Sequence, residues 1–468
     1  MALRSRRDLF KVGGAAALTV GLAACATAAA NSTAPASSVA PVPTTADAAA
    51  PPATKPTARA AAVQATTAPV QAAAPAPTQV PAPPPTQAAQ SAESAVPPEQ
   101  RTLVMIQLGG GDDGLNLLAP YGNGTYYDLR PKVAIAQVDV LRLNDQYGLH
   151  PSVKAFKRLY DEGKFAMIQG VGYPNPSRSH FRSMDIWHTA RTDANSEQGW
   201  LGAFMAEVYK VGESPFQCVS VGTSVPKAMF TPHAPAAAVQ DAATFQFLAD
   251  RKLPTGKDPL LKTFGQVYAK PGRKLPTMEL VAQGWDTTVR GVEALAASTE
   301  KYQPTTPYPQ GPFGKALQNV AQMVSANLGT RVFYVSLGGF DTHSNQKPAH
   351  ANLLTNLSEG LAAFQKDLEG LGKADGVTIL GFSEFGRRVK ENGSGGTDHG
   401  AAGPMFVIGK NVKAGLYGEA PSLTSLDEGD LKHTVDFRSV YATVLENWFG
   451  VPSQAILGGN YEKLGFLG

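Results

Sequence analysis

The chain has 468 residues, a formal net charge of +3 and two cysteines. So weak a charge, with no basic stripe, excludes a nucleic-acid-binding surface, and two cysteines exclude a disulfide-stapled scaffold. Beyond the N-terminal region no apolar run reaches the roughly 20 residues that span a bilayer.

The first element in chain order is an export signal. Ser5-Arg6-Arg7-Asp8-Leu9-Phe10-Lys11 reads as a twin-arginine consensus, and an apolar, small-residue run follows over residues 12–24. A charged start, a short apolar core and a small-residue exit predict a signal peptide over residues 1–25, handled by the twin-arginine translocation machinery. The exit, Leu22-Ala23-Ala24-Cys25, reads as a lipobox, in which Cys25 is acylated and becomes the new N-terminus. The bland alternative is a plain cleavage site with an incidental cysteine. An acylated Cys25 predicts a lipid anchor on the outer face of the cytoplasmic membrane, periplasmic or at the cell surface. It also leaves Cys218 without a disulfide partner. Residues 26–98 are almost all Ala, Pro, Thr, Ser, Val and Gln, with no aromatics. Such a segment buries too little apolar area to offset chain entropy, and its prolines favour extension, so it is expected to be a disordered spacer.

Residues 99–468 are enough for one large domain. Apolar runs of strand length lie at 103–108, 165–168, 331–337, 377–382 and 405–408, and glycine-rich or polar loops follow them. The runs are continuous rather than alternating, as in strands covered on both faces. Helical spacing separates them at 153–162, 353–371 and 437–449. Asp436-Phe437-Arg438 reads as the capped start of the last of these. The alternation predicts an α/β fold: a doubly wound, mainly parallel central sheet with helices on both faces. Residues 230–310 break the pattern, with several prolines and no clear strand, and read as a mostly helical insertion.

Four loops carry acids or imidazoles: Asp112 and Asp113 after the first run, Asp341-Thr342-His343 after another, Glu384 after a third, and Asp398-His399 shortly before the next. Ligands in doubly wound folds bind beyond the carboxyl ends of the strands, where these loops are expected to meet. Oxygen and nitrogen donors there suit a divalent metal: Zn, Mn, Mg or Ca. Each residue taken singly is as well explained as a turn residue or cap. A fifth segment, Pro174-Asn175-Pro176-Ser177-Arg178-Ser179-His180-Phe181, opens a helix. A serine there is either a nucleophile activated by a nearby metal or a simple helix cap. Arg178 or Arg182 is placed to hold anionic oxygens. Arg387-Arg388 either steers an anion or is solvated.

From residue 103 to the C-terminus, the chain resembles a bacterial family catalogued as domain of unknown function 1501. The resemblance rests on Gly109-Gly110-Gly111-Asp112-Asp113-Gly114-Leu115-Asn116, Leu149-His150-Pro151, Ser177-Arg178-Ser179-His180-Phe181 and Gly339-Phe340-Asp341-Thr342-His343. It continues through Ser383-Glu384-Phe385-Gly386-Arg387-Arg388, Thr397-Asp398-His399-Gly400 and Asp436-Phe437-Arg438. That family looks like a distant branch of the alkaline phosphatase and sulfatase superfamily. The resemblance implies a metal-dependent hydrolase of phosphate or sulfate esters, acting on an anionic ester substrate. Its metal ligands would be Asp113 (with Asp112 as rival), Asp341, His343, Glu384 and His399. Ser179, Ser177 or a metal-bound water would attack, with Arg178 beside them. Where the superfamily has Asp-His, this chain reads Glu384-Phe385. The rival expectation is a non-catalytic surface lipoprotein that binds a glycan, an anion or a protein partner.

Overall fold

The computed structural model describes residues 96–468 apart from 193–195, 211–212, 243–244 and all but isolated positions of 246–275; the side chains of 276–286 and 299 are also excluded. The signal peptide, Cys25 and residues 26–95 of the spacer lie outside the described residues.

The strands are β1 (Thr102–Gly109), β2 (Leu118–Ala119), β3 (Leu141–Arg142), β4 (Gly148–Leu149), β5 (Phe165–Gly172), β6 (Cys218–Ser220), β7 (Ala237–Ala238), β8 (Val332–Gly338), β9 (Val377–Ser383), β10 (Gly403–Ile408), β11 (Gly415–Tyr417) and β12 (Val435–Asp436). The helices are α1 (Gly114–Leu117), α2 (Gly124–Leu129), α3 (Lys154–Asp161), α4 (His180–Thr189), α5 (Trp200–Val208), α6 (Pro276–Lys301), α7 (Pro312–Ser325), α8 (Gln346–Gly370), α9 (Phe437–Thr443) and α10 (Ser453–Leu457). The main sheet runs β11-β5-β10-β9-β1-β8-β6-β7, with β12 also pairing β5. β1 is parallel to β8 and β9, and β6 to β7 and β8, whereas β10 is antiparallel to both its neighbours. The fold is therefore α/β with a mainly parallel sheet.

The continuous apolar strands have a direct cause. Successive β1 side chains point to opposite faces. Val104, Ile106 and Leu108 enter a core shared with Phe156 of α3, Leu317 of α7 and Leu361 of α8. Leu103 and Met105 enter a second core with Trp187 of α4, Trp200 of α5 and Tyr441 of α9. Each such fully buried side chain contributes about 1.5–3 kcal/mol, so an alternating pattern would forfeit one of the two layers.

The antiparallel β10 matters for the site. Its register sets Phe406 opposite Gly381 of β9, so its N-terminal end lies at the carboxyl edge of the parallel strands. The loop entering β10 thus joins the loops leaving β1, β8 and β9.

Three details differ from the sequence expectation. Region 230–310 does contain a strand, β7, but its two residues are too few to leave a pattern. A small separate sheet, β2-β4-β3, is built from equally short pieces. The helix expected over 437–449 changes at Thr443 into a π-helical turn over Val444–Trp448. Its start is as read: the Asp436 side chain accepts from the Arg438 amide at 2.9 Å and pairs with the Arg438 guanidinium at 2.6 Å.

Candidate metal centre

Four loop segments and one helix meet at the carboxyl edge. The turn after β1 presses against the loop after β8. Gly110, at φ +121°, has no room for a side chain: a Cβ would stand 2.4 Å from the Asp341 amide nitrogen. The buried Arg387 side chain binds these loops together. It donates to the carbonyls of Gly111 (2.6 Å), Phe340 (2.9 Å), Thr397 (3.0 Å) and Gly110, and to Asp341 Oδ1 (2.8 Å). Beyond the sheet, the loop after β9 and the loop before β10 remain paired, Gly400 N–H donating to the Gly386 carbonyl at 2.9 Å. This pairing sets His399 at the edge. Helix α4 is fixed from below, where Ser183 Oγ and Trp187 Nε1 (2.7 Å) both donate to the Glu384 carbonyl.

Four side chains converge. His343 Nε2, His399 Nε2 and Asp341 Oδ1 form a triangle with sides of 2.9, 3.0 and 3.0 Å. His180 Nε2 stands 3.6 Å from Asp341 Oδ2. His180, Asp341 and His399 each offer a ligand atom within 4.8 Å of the others. The other ring nitrogens determine what these atoms are. His180 Nδ1 lies 2.9 Å from Glu384 Oε1, His343 Nδ1 3.1 Å from Asp398 Oδ1, and His399 Nδ1 2.9 Å from the Arg178 carbonyl. All three partners are pure acceptors, so each Nδ1 carries the proton. In the neutral rings each Nε2 is then a lone pair directed at the Asp341 carboxylate. Partial burial opposes ionisation of Asp341, but the hydrogen bond and positive charge of the Arg387 guanidinium outweigh it and hold the carboxyl below its ordinary value of 3.8. Lone pairs at such separations repel unless a cation or shared protons lie between them. Donors about 2.1 Å from one ion, set at right angles around it, stand about 3.0 Å apart, so the triangle fits a divalent metal.

The residues expected at the site have different fates. Asp341, His343 and His399 meet. Glu384 is present but buried behind His180, where Oε1 also accepts the Gly110 N–H at 2.8 Å. Asp113 faces away. It is fully enclosed against Arg130 at 2.7 Å and also takes a hydrogen bond from Gln346. Complete burial disfavours its charge, and Arg130 overrides this, so the carboxyl is held below its ordinary value of 3.8. Gln346 in turn accepts from Thr342 (3.2 Å) and Thr397 (2.6 Å), so Asp113 supports the site loops from beneath. Asp112 is likewise buried, 2.7 Å from His350 Nε2. Ser179 is the N-terminal boundary residue of α4 and makes no capping bond; its side chain is exposed. Ser177 Oγ accepts from the Ser179 amide at 3.3 Å. The Arg178 guanidinium is taken by Asp430 (2.7 Å) and Glu428 (3.3 Å), and that of Arg182 by Asp185 (2.9 Å). Arg388 lies 3.5 Å from the same Asp430.

His180 was not among the expected ligands. The signal for it was its place one residue inside a helix that opens at the carboxyl edge, directly after a candidate serine.

Among the described residues no helix is long and apolar enough to cross a membrane. No curated protein matches the sequence. Among solved structures, the chain is similar to the PsFucS1 sulfatase from Pseudoalteromonas sp. at 10% identity, over 78% of this chain and 70% of that one, with a TM-score of 0.35. It is similar to the phosphonate monoester hydrolase of Agrobacterium radiobacter at 8% identity, over 78% and 79% of the two chains, TM-score 0.34. It is also similar to the lipoteichoic acid synthase LtaP from Listeria monocytogenes at 8% identity, over 77% and 75%, TM-score 0.33. A family model described as protein of unknown function (DUF1501) matches residues 100–458, and the chain belongs to that family.

Proposed function

We propose that the chain is a divalent-metal-dependent hydrolase of phosphate or sulfate esters, exported by the twin-arginine machinery and anchored by a lipid on Cys25 at the outer face of the cytoplasmic membrane. One observation carries the hydrolase reading: three imidazoles, each with Nδ1 committed to an oxygen acceptor, turn Nε2 toward one solvent-accessible carboxylate. His180, Asp341, His343 and His399 would hold the ion, and a set so rich in imidazole favours zinc over magnesium or calcium. When bound, such an ion supplies positive charge against the anionic oxygens of an ester. Glu384, Asp398 and the Arg178 carbonyl keep the imidazoles in one tautomer and one orientation, as outer partners do in metal sites. Ser179, exposed and directly ahead of His180, is the side-chain nucleophile in this reading, with water as its competitor.

The test uses the detergent-solubilised full chain, stripped with chelator and reconstituted with Zn, Mn, Mg or Ca in turn. Bound metal should be retained by the parent and lost from His399→Ala and His180→Ala, with hydrolysis of 4-nitrophenyl phosphate or sulfate following the metal. Failure to retain any of the four ions would overturn the reading. For the address, replacing Arg6 and Arg7 by Lys should leave precursor in the cytoplasm, and Cys25→Ala should release the protein from membranes. Unimpaired export of the first variant, or undiminished membrane attachment of the second, would refute those parts.

A further inference from the structure

One face of α4 does more than present His180. Phe181, Met184, Asp185 and His188, at helical spacing from one another, line an open cleft of about 340 Å³, with Gln107, Lys227 and Glu384 completing its lining. The cleft shares His180 and Glu384 with the metal centre, so a molecule held in it lies beside that centre. Its volume falls at the lower end of the range for small-molecule sites, about 300–1,000 Å³.

The lining has two characters. Phe181 is 91% exposed, although a phenylalanine is ordinarily buried. Met184 continues the apolar surface. The polar groups of the lining are pre-set. Tyr334 O–H donates to Gln107 Oε1 at 2.7 Å, and the Tyr334 oxygen lies 2.9 Å from His188 Nε2, which therefore supplies the proton. Burial holds the His188 ring at about 4, so it is neutral and the chain of donors keeps this direction near neutral pH. With its carbonyl occupied, Gln107, which also lines the cleft, has its NH₂ group as its remaining donor. Lys227 and Asp185, both in the lining, form an ion pair. An exposed aromatic ring together with fixed donors and acceptors in one cleft complements a ring that is apolar on its C–H face and hydroxylated at its rim.

We propose that this cleft binds the alcohol portion of the ester and that this portion is a carbohydrate: a pyranose stacked on Phe181, with hydroxyls reaching Gln107 and the ion pair of Asp185 and Lys227. The assignment rests on the hydrolase reading for its role and on the cleft alone for its ligand, so binding and turnover are measured separately. Saturation-transfer NMR on the detergent-solubilised full chain uses glucose 6-phosphate, N-acetylglucosamine 6-sulfate, 4-nitrophenyl phosphate and methyl phosphate. Saturation should reach the sugar ring protons and be lost in Phe181→Ala. In kinetics with the same probes, Phe181→Ala should raise KM for the sugar esters about tenfold, and Phe181→Trp should restore it. Ring saturation without turnover of any ester keeps the cleft and refutes the hydrolase. Turnover of methyl phosphate without ring saturation, and with sugar-ester KM unmoved by Phe181→Ala, refutes the cleft and keeps the hydrolase. Stronger saturation of the 4-nitrophenyl ring than of either sugar overturns the carbohydrate assignment, and neither saturation nor turnover refutes both.

Discussion

Glu384→Gln should weaken metal binding about 10–100-fold, and it should do so only through His180. The structure makes the substitution nearly isosteric. Glu384 Oε1 accepts from Gly110 N–H at 2.8 Å and from His180 Nδ1–H at 2.9 Å, and an amide oxygen accepts the same two protons. Oε2 lies 3.2 Å from Ser383 Oγ, whose own proton goes to the Leu108 carbonyl at 2.6 Å, leaving a lone pair for the new NH₂. What disappears is the negative charge behind the His180 imidazole, which a bound cation would feel through the ring. The predicted loss is about 1.4–2.8 kcal/mol of binding free energy. The assay is a double-mutant cycle: metal dissociation constants by competition with a fluorescent chelator for the parent, Glu384→Gln, His180→Ala and the double variant. If Glu384 acts through His180, its substitution has no further effect once His180 is gone. An equal loss in both backgrounds would make Glu384 a direct ligand and refute the reasoning.

Other perturbations test the surroundings. Asp113→Ala leaves the enclosed Arg130 charge unpaired and should lower stability by about 3–5 kcal/mol in urea unfolding; a loss under about 1 kcal/mol would contradict the enclosed pair. At Gly396 an added Cβ would meet the His343 carbonyl carbon at 2.4 Å, so Gly396→Ala should weaken metal binding while far-ultraviolet dichroism is retained. Undiminished affinity would show that the loop yields. Burial first, and then the nearby His350, depress His150 from 6.5 to about 3. Between those values the unfolded chain takes up a proton that the folded chain refuses, so this contribution to stability is full above pH 6.5 and lost as pH falls through the window. His150→Asn should flatten the acid limb of the stability curve, and an unaltered limb would refute the assignment.

The sheet was legible because it is covered twice. The runs at 103–108, 331–337 and 377–382 stay apolar across both side-chain phases, and they became β1, β8 and β9. The short strands β6 and β7 were not legible, since two or three residues carry no period. The site divided along a similar line. Asp341, His343 and His399 could be placed because topology alone brings their loops to one edge. Asp112 and Asp113 could not, because after a glycine turn the spacing does not say whether a carboxylate faces outward or inward. Here both face inward, toward His350 and Arg130, whose partnership spans more than a dozen residues of chain in each case. His180 stood in a motif that was noticed for its serines. The backbone acceptor that fixes His399 has no side-chain signature at all.

That last contact has a consequence for how such a site is mapped. Carboxylates orient His180 and His343, and a point substitution can delete either one. His399 depends on the peptide oxygen of Arg178, which every amino-acid type carries. A saturation scan would therefore register positions 384 and 398 directly. It would see position 178 through the salt bridges to Asp430 and Glu428 and would miss the oxygen that matters. Exchanging the amide between residues 178 and 179 for an ester makes that carbonyl a weaker acceptor while keeping every side chain. Backbone chemistry of that kind, rather than a codon change, is what reaches this contact.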